Sequence, residues 1–106
     1  KKRAQRLLDA FCGKRVPAAV RAQVWMEHTK RGNTYTLLEC RPHFSDPNVI
    51  SRMPIARFKY DDTDGVWSLY YPDRNDRFHI YFEDVGDTLE ELIAEVDEDP
   101  TCIFWG

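Results

Sequence analysis

The chain has 106 residues, a net charge of −3, 42% hydrophobic and 13% aromatic content. A single domain spanning 1–106 buries roughly two-thirds of its unfolded surface, so one core can form without disulfide or metal staples. No apolar run approaches the roughly 20 residues of a membrane span, and the opening KKRAQRLLDAF is too polar for a signal peptide, so the cytoplasm is the expected compartment.

The charge is uneven. Lys1–Phe44 carries ten Lys/Arg against Asp9, Glu27 and Glu39, a balance of +7, whereas Ser45–Gly106 stands at −10. Such halves can mark a nucleic-acid-binding end; the simpler expectation is that they attract each other within the fold or across a dimer.

Lys2–Cys12 reads as a short helix with Leu7, Leu8 and Phe11 as its apolar stripe and Gly13 as its stop. Val16–Val20 suggests a further helical turn, with Pro17 suited to the first helical position. From Gln23 the pattern changes to period two. Val24–Lys30 and Thr34–Arg41 flank Gly32-Asn33, a two-residue hairpin signal. Val24, Met26, His28, Tyr35 and Leu37 are the expected core set of that hairpin, because burying Glu27 on the other face would require a partner. Pro42–Pro54, with three prolines and no periodicity, reads as a connecting loop.

Phe58–Phe82 then reads as three strands, with turns at Asp62–Gly65 and Asp73–Asp76. In that register Tyr60 faces Trp67, Phe58 faces Leu69, Tyr71 faces Phe78, Leu69 faces Ile80 and Trp67 faces Phe82, all on one side. The other side collects Arg57, Lys59, Ser68, Tyr70, His79 and Tyr81, a face of cations and rings. Thr88-Leu89-Glu90-Glu91 is a capping box opening a helix to about Glu98, with Leu89, Leu92, Ile93 and Val96 on its apolar face. The apolar tail Cys102–Trp105 is expected to dock on the core. The resulting fold is α+β: a five-stranded antiparallel meander with N- and C-terminal helices packed on one face.

Candidate chemistry is sparse. Cys40-x-x-His43 has ligand-like spacing, and His28, His79 and Cys12 could complete a zinc set, but a second close pair is missing. Cys12, Cys40 and Cys102 form no even set and no CxxC, so they are expected to be free. Asp61–Gly65 departs from a calcium loop, since Tyr60 and Tyr71 fall where acidic ligands belong. Pro72-Asp73 with Glu83 suggests a metal nuclease, yet the required lysine is absent. His79 could act as a general acid or base near Ser68, Asp73 or Asp76, without an evident nucleophile and orienting group. No phosphate loop or dinucleotide fingerprint is present, and no cofactor or metal is expected.

RVPAAVRAQV, RGNTYTLLECRP, PIARFKYD, VWSLYYPDRNDRFHIY and the ending AEVDEDPTCIFWG together resemble an uncharacterised family of small bacterial proteins known only as a domain of unknown function. The resemblance covers nearly the whole chain from about Val16, and Cys40 departs from the arginine usual there. It implies a small module commonly standing alone, and supplies no activity. The residues themselves point to a non-enzymatic binding module that meets an unknown protein partner, or a second copy of itself, through Arg57, Lys59, Tyr70, His79 and Tyr81. Alternatives are single-stranded nucleic-acid binding on that face and a small hydrolase or nuclease centred on His79.

Overall fold

The computed structural model describes residues 2–15, 23–82 and 85–105. Helix α1 (Lys2–Arg15) leads into strands β1 (Trp25–Arg31), β2 (Thr34–Pro42), β3 (Ile50–Asp61), β4 (Val66–Pro72) and β5 (Phe78–Ile80), and helix α2 (Leu89–Glu98) follows. The strands form one antiparallel sheet in the order β1-β2-β3-β4-β5. This is the expected α+β meander. Its core joins Ala4, Leu8 and Phe11 of α1 and Leu89, Leu92 and Val96 of α2 to Met26, Tyr35, Leu37, Phe58 and Leu69 of the sheet. Both helices therefore cover one sheet face, the other being left as an outer face.

Helix α1 does not stop at Gly13. It continues through Lys14 and Arg15, cations that suit a helix C-terminus. Arg15 is held there by Asp97 at 3.1 Å and by stacking 4.1 Å over the Trp105 ring, tertiary contacts that outweigh the glycine signal. The helical turn expected at Val16–Val20 lies outside the described residues.

The β1–β2 hairpin closes at Gly32-Asn33, with Gly32 at φ 60° and Arg31 opposite Thr34. Met26, Tyr35 and Leu37 face the core. The loop expected over Pro42–Pro54 is shorter, because β3 already begins at Ile50. Pro54 is tolerated within the strand since the β2–β3 register shifts there: Leu38 pairs with Pro54 and Leu37 with Ala56, leaving Ile55 as the extra residue of a bulge. The bulge breaks the alternation, so adjacent Ile55 and Ala56 are both buried.

Between β3 and β4 the register is as expected, with Phe58 opposite Leu69 and Tyr60 opposite Trp67. Between β4 and β5 it is displaced by one: Tyr70 pairs with Ile80, Tyr71 with His79 and Pro72 with Phe78. The turn is the cause. Asp73 N–H donates to the Arg77 carbonyl, so the loop is three residues long with Asp76 left-handed at φ 62°. Because side chains alternate, a one-residue shift exchanges the faces of β5. Tyr81, expected outside, is 5% exposed in the core, while Ile80 and Phe82, expected inside, stand 49% and 61% exposed.

The α2 capping box is complete: Thr88 Oγ1 accepts from the Glu91 N–H, and the Glu91 carboxylate accepts from the Thr88 N–H. Asp99 ends the helix in the left-handed region, and its carboxylate accepts the N–H groups of Phe104 and Trp105 at 3.1 and 2.8 Å. With the Trp105 indole donating to the Val96 carbonyl, the tail is tied down and Phe104 is buried against Tyr81. Tyr81→Ala should therefore cost about 3–5 kcal/mol in urea unfolding, as Phe58→Ala should, the range for large aromatic-to-alanine core changes. The register expected from sequence would leave the Tyr81 change within about 0.5 kcal/mol, as for surface positions.

Candidate functional site

The outer sheet face is built from cross-strand rows. One row runs Arg31, Thr34, Lys59, Ser68; the next runs Thr29, Thr36, Arg57, Tyr70, Ile80. No carboxylate stands in either. Arg57 Nε donates to Thr36 Oγ1 at 3.1 Å, and its guanidinium lies 3.8 Å from the centroid of the Phe78 ring. Thr29, Lys30, Arg31, Thr34, Thr36 and Arg57 line a shallow concavity of about 410 Å³. Among the described residues, neither Arg31 nor Lys59 meets a carboxylate, whereas Arg3, Arg15, Arg41 and Arg52 each do.

The far end of the same face is neutralised. Glu27 accepts from the Trp25 indole at 2.8 Å and from Arg52 Nε at 3.1 Å. These two donors hold its carboxyl below the usual range. Glu27 thus stands on the outer face, as expected, and is paired there as well. Cys40 is fully buried beside it. Burial pushes its thiol up and takes half-buried Cys12 to about 11, so both stay protonated near neutral pH.

The five residues expected to share the binding face are therefore divided. Arg57, Lys59 and Tyr70 lie on the outer face, but the register displacement turns His79 and Tyr81 to the helix side. Tyr81 donates to Glu95 at 2.7 Å as a core residue. Arg31, Thr29, Thr34 and Thr36 join the face instead. Their signal was available: the Gly32-Asn33 turn pairs Arg31 with Thr34 and Thr29 with Thr36, and alternation against the inward Met26, Tyr35 and Leu37 turns all four outward.

His79 Nε2 lies 2.8 Å from Asp73 Oδ2. Asp73 Oδ1 accepts the Asn75 and Arg77 N–H groups, and with His79 these hold its carboxyl below the usual range. The pair is half of a hydrolytic constellation. Ser68 sits on the opposite face, and neither His79 nor Asp73 lines the outer-face concavity. Asp61 likewise accepts from Thr63 and Asp64 as a turn residue. Among the described residues no group of three or more His, Cys, Asp or Glu is placed to hold a metal ion, and no helix is long and apolar enough to cross a membrane. Glu83 lies outside the described residues.

A second concavity of about 440 Å³ lies between α1 and α2 over Leu7, Phe11 and Ile93. The Arg3–Glu90 and Arg15–Asp97 pairs bridge the two helices beside it.

The model of a domain of unknown function, DUF3024, matches residues 1–106. The chain belongs to this family. No curated protein and no solved structure matches this DUF3024 chain.

The lowered carboxyls of Glu27 and Asp73 set a pH dependence. The unfolded chain takes up these protons at higher pH than the folded one does. Their contribution is therefore present above the unfolded carboxylate range and is lost as pH falls through the folded values. Urea midpoints should fall below about pH 5, and Glu27→Gln should make that fall shallower. An equally steep fall in Glu27→Gln would show that Trp25 and Arg52 do not hold the carboxylate.

Proposed function

We propose that this DUF3024 protein is a non-enzymatic binding module that takes an acidic protein segment on its outer sheet face. The observation that carries this reading is the pair of carboxylate-free rows. In an acidic chain, Arg31, Arg57 and Lys59 stand together among the hydroxyls of Thr29, Thr34, Thr36 and Ser68. Cations and hydroxyls so arranged suit carboxylates, and charge complementarity of this kind selects and orients a partner. The free thiols Cys12, Cys40 and Cys102 suit a reducing compartment, in keeping with action in the cytoplasm.

A second reading, single-stranded nucleic acid, is favoured by the same cations. It ranks below the first because stacking needs open ring faces. With His79 and Tyr81 turned away and Phe78 under Arg57, the open rings beside the cations are Tyr70 and, at the sheet margin, Phe82, too few for a stacking run. Catalysis ranks lower again, since the His79–Asp73 pair is accounted for by the turn it closes.

The test is capture from native lysate on immobilised protein, before and after nuclease treatment. A protein partner should survive nuclease and be lost with Arg31→Ala/Lys59→Ala. Signal stripped by nuclease would instead support the nucleic-acid reading, whose affinity should fall steeply with salt and whose salt slope should drop by about two in that double variant. Capture of the same partner by the double variant would overturn the outer face as the site.

A further inference from the structure

The two edges of the sheet are unlike. Edge strand β1 carries Glu27, Lys30 and Arg31 and is crossed by α1, whose Asp9 lies 2.6 Å from His28 Nε2. Charges and a covering helix are how proteins blunt an edge against pairing with another chain. Edge strand β5 and its continuation, Phe78-His79-Ile80-Tyr81-Phe82, carry neither an acid nor a lysine nor an arginine.

The backbone of β5 is oriented for pairing. Asp73 N–H donates to Arg77 O and Tyr81 N–H to Leu69 O, which fixes the bonded positions of the ladder at Arg77, His79 and Tyr81. In an antiparallel ladder bonded and non-bonded positions alternate. The N–H and C=O groups of Phe78, Ile80 and Phe82 therefore point away from β4, toward the open edge. The side chains of these same residues alternate onto the outer face, where Ile80 and Phe82 are exposed.

The geometry points to self-association through this edge: two copies pair β5 to β5, antiparallel, about a two-fold axis at Ile80. The edge is self-complementary. A two-fold contact requires the same patch to fit itself. Phe78-x-Ile80-x-Phe82 reads alike in both directions, so Ile80 meets the partner's Ile80 while Phe78 meets the partner's Phe82. Each facing pair is apolar, and the inward-turned sequence His79-x-Tyr81 brings no like charges together. All three residues present unbonded backbone groups, so the same alignment satisfies both the ladder and the side-chain row. The product is a ten-stranded sheet whose two cationic outer faces lie on one side. This inference stands apart from the acidic-partner reading, because Arg31 and Lys59 take no part in it.

Light scattering over a concentration series, combined with hydrogen exchange, tests it. Wild type should approach twice the monomer mass, with the Phe78 and Ile80 amides gaining protection as concentration rises although they bond to nothing among the described residues. Ile80→Lys and, separately, Phe82→Lys should give monomers with unchanged circular dichroism, both positions being exposed. Arg31→Ala/Lys59→Ala should still dimerise even if it loses its acidic partner. A wild-type monomer at every concentration would overturn the inference. So would a dimer that persists in both lysine variants, or one in which the Phe78 and Ile80 amides stay unprotected. Protection that appears only when another protein is added would assign the edge to a foreign strand instead.

Discussion

The Asp73 carboxylate sets more of this structure than any other single group. One oxygen accepts the N–H groups of Asn75 and Arg77, and the other reaches His79. With Asp76 left-handed, those bonds close a three-residue loop and fix where β5 begins to pair. Since side chains alternate, the length of that loop decides which of Ile80, Tyr81 and Phe82 is buried. It places Tyr81 under α2 beside Phe104, and turns an apolar pair outward at the sheet edge. The same bonds give the His79–Asp73 pair a structural explanation that owes nothing to catalysis.

Electrostatics divides the molecule in a related way. The basic N-terminal half and acidic C-terminal half meet where α1 lies beside α2, through Arg3 with Glu90 and Arg15 with Asp97. Such exposed pairs contribute less than about 1 kcal/mol each, so α1 is held chiefly by the burial of Leu8 and Phe11. What the pairs do is consume charge on the helix side. On the outer face Glu27 consumes Arg52, while Arg31 and Lys59 meet no described carboxylate. The cationic rows are thus a remainder left by pairing elsewhere, the remainder on which the proposed acidic partner would act.

The sheet also shows why its two faces differ in character. The bulge at Ile55 accommodates Pro54 in β3 and directs two consecutive apolar side chains inward. It thickens the core beneath the helices. Opposite it, Trp25, Glu27, Arg52 and Cys40 form a small closed cluster that leaves the cation-and-hydroxyl rows as the open part of the outer face. At the margins, β1 is guarded by charge and by α1, whereas Phe78–Phe82 carries no acid, lysine or arginine.

Much of this was legible from sequence because it depends on neighbours along the chain. The Thr88–Glu91 box, the Gly32-Asn33 turn, the β3–β4 register and the inward Met26, Tyr35 and Leu37 all follow from local hydrogen bonding or from alternation across a short turn. The five-stranded meander and its helix-covered face followed from those. Three features needed the tertiary structure. Gly13 stayed helical because Arg15 finds Asp97 and Trp105, residues more than eighty positions away. Pro54 entered a strand because β2 could accept a bulge. And β5 pairs one residue away from the expected register because DRND can close as a three- or a four-residue loop, and the three-residue loop held by the Asp73 carboxylate is the one that also buries Tyr81. Tyr81 fills the space between Glu95 and Phe104, and a sequence read by alternation alone holds no information about the shape of that space.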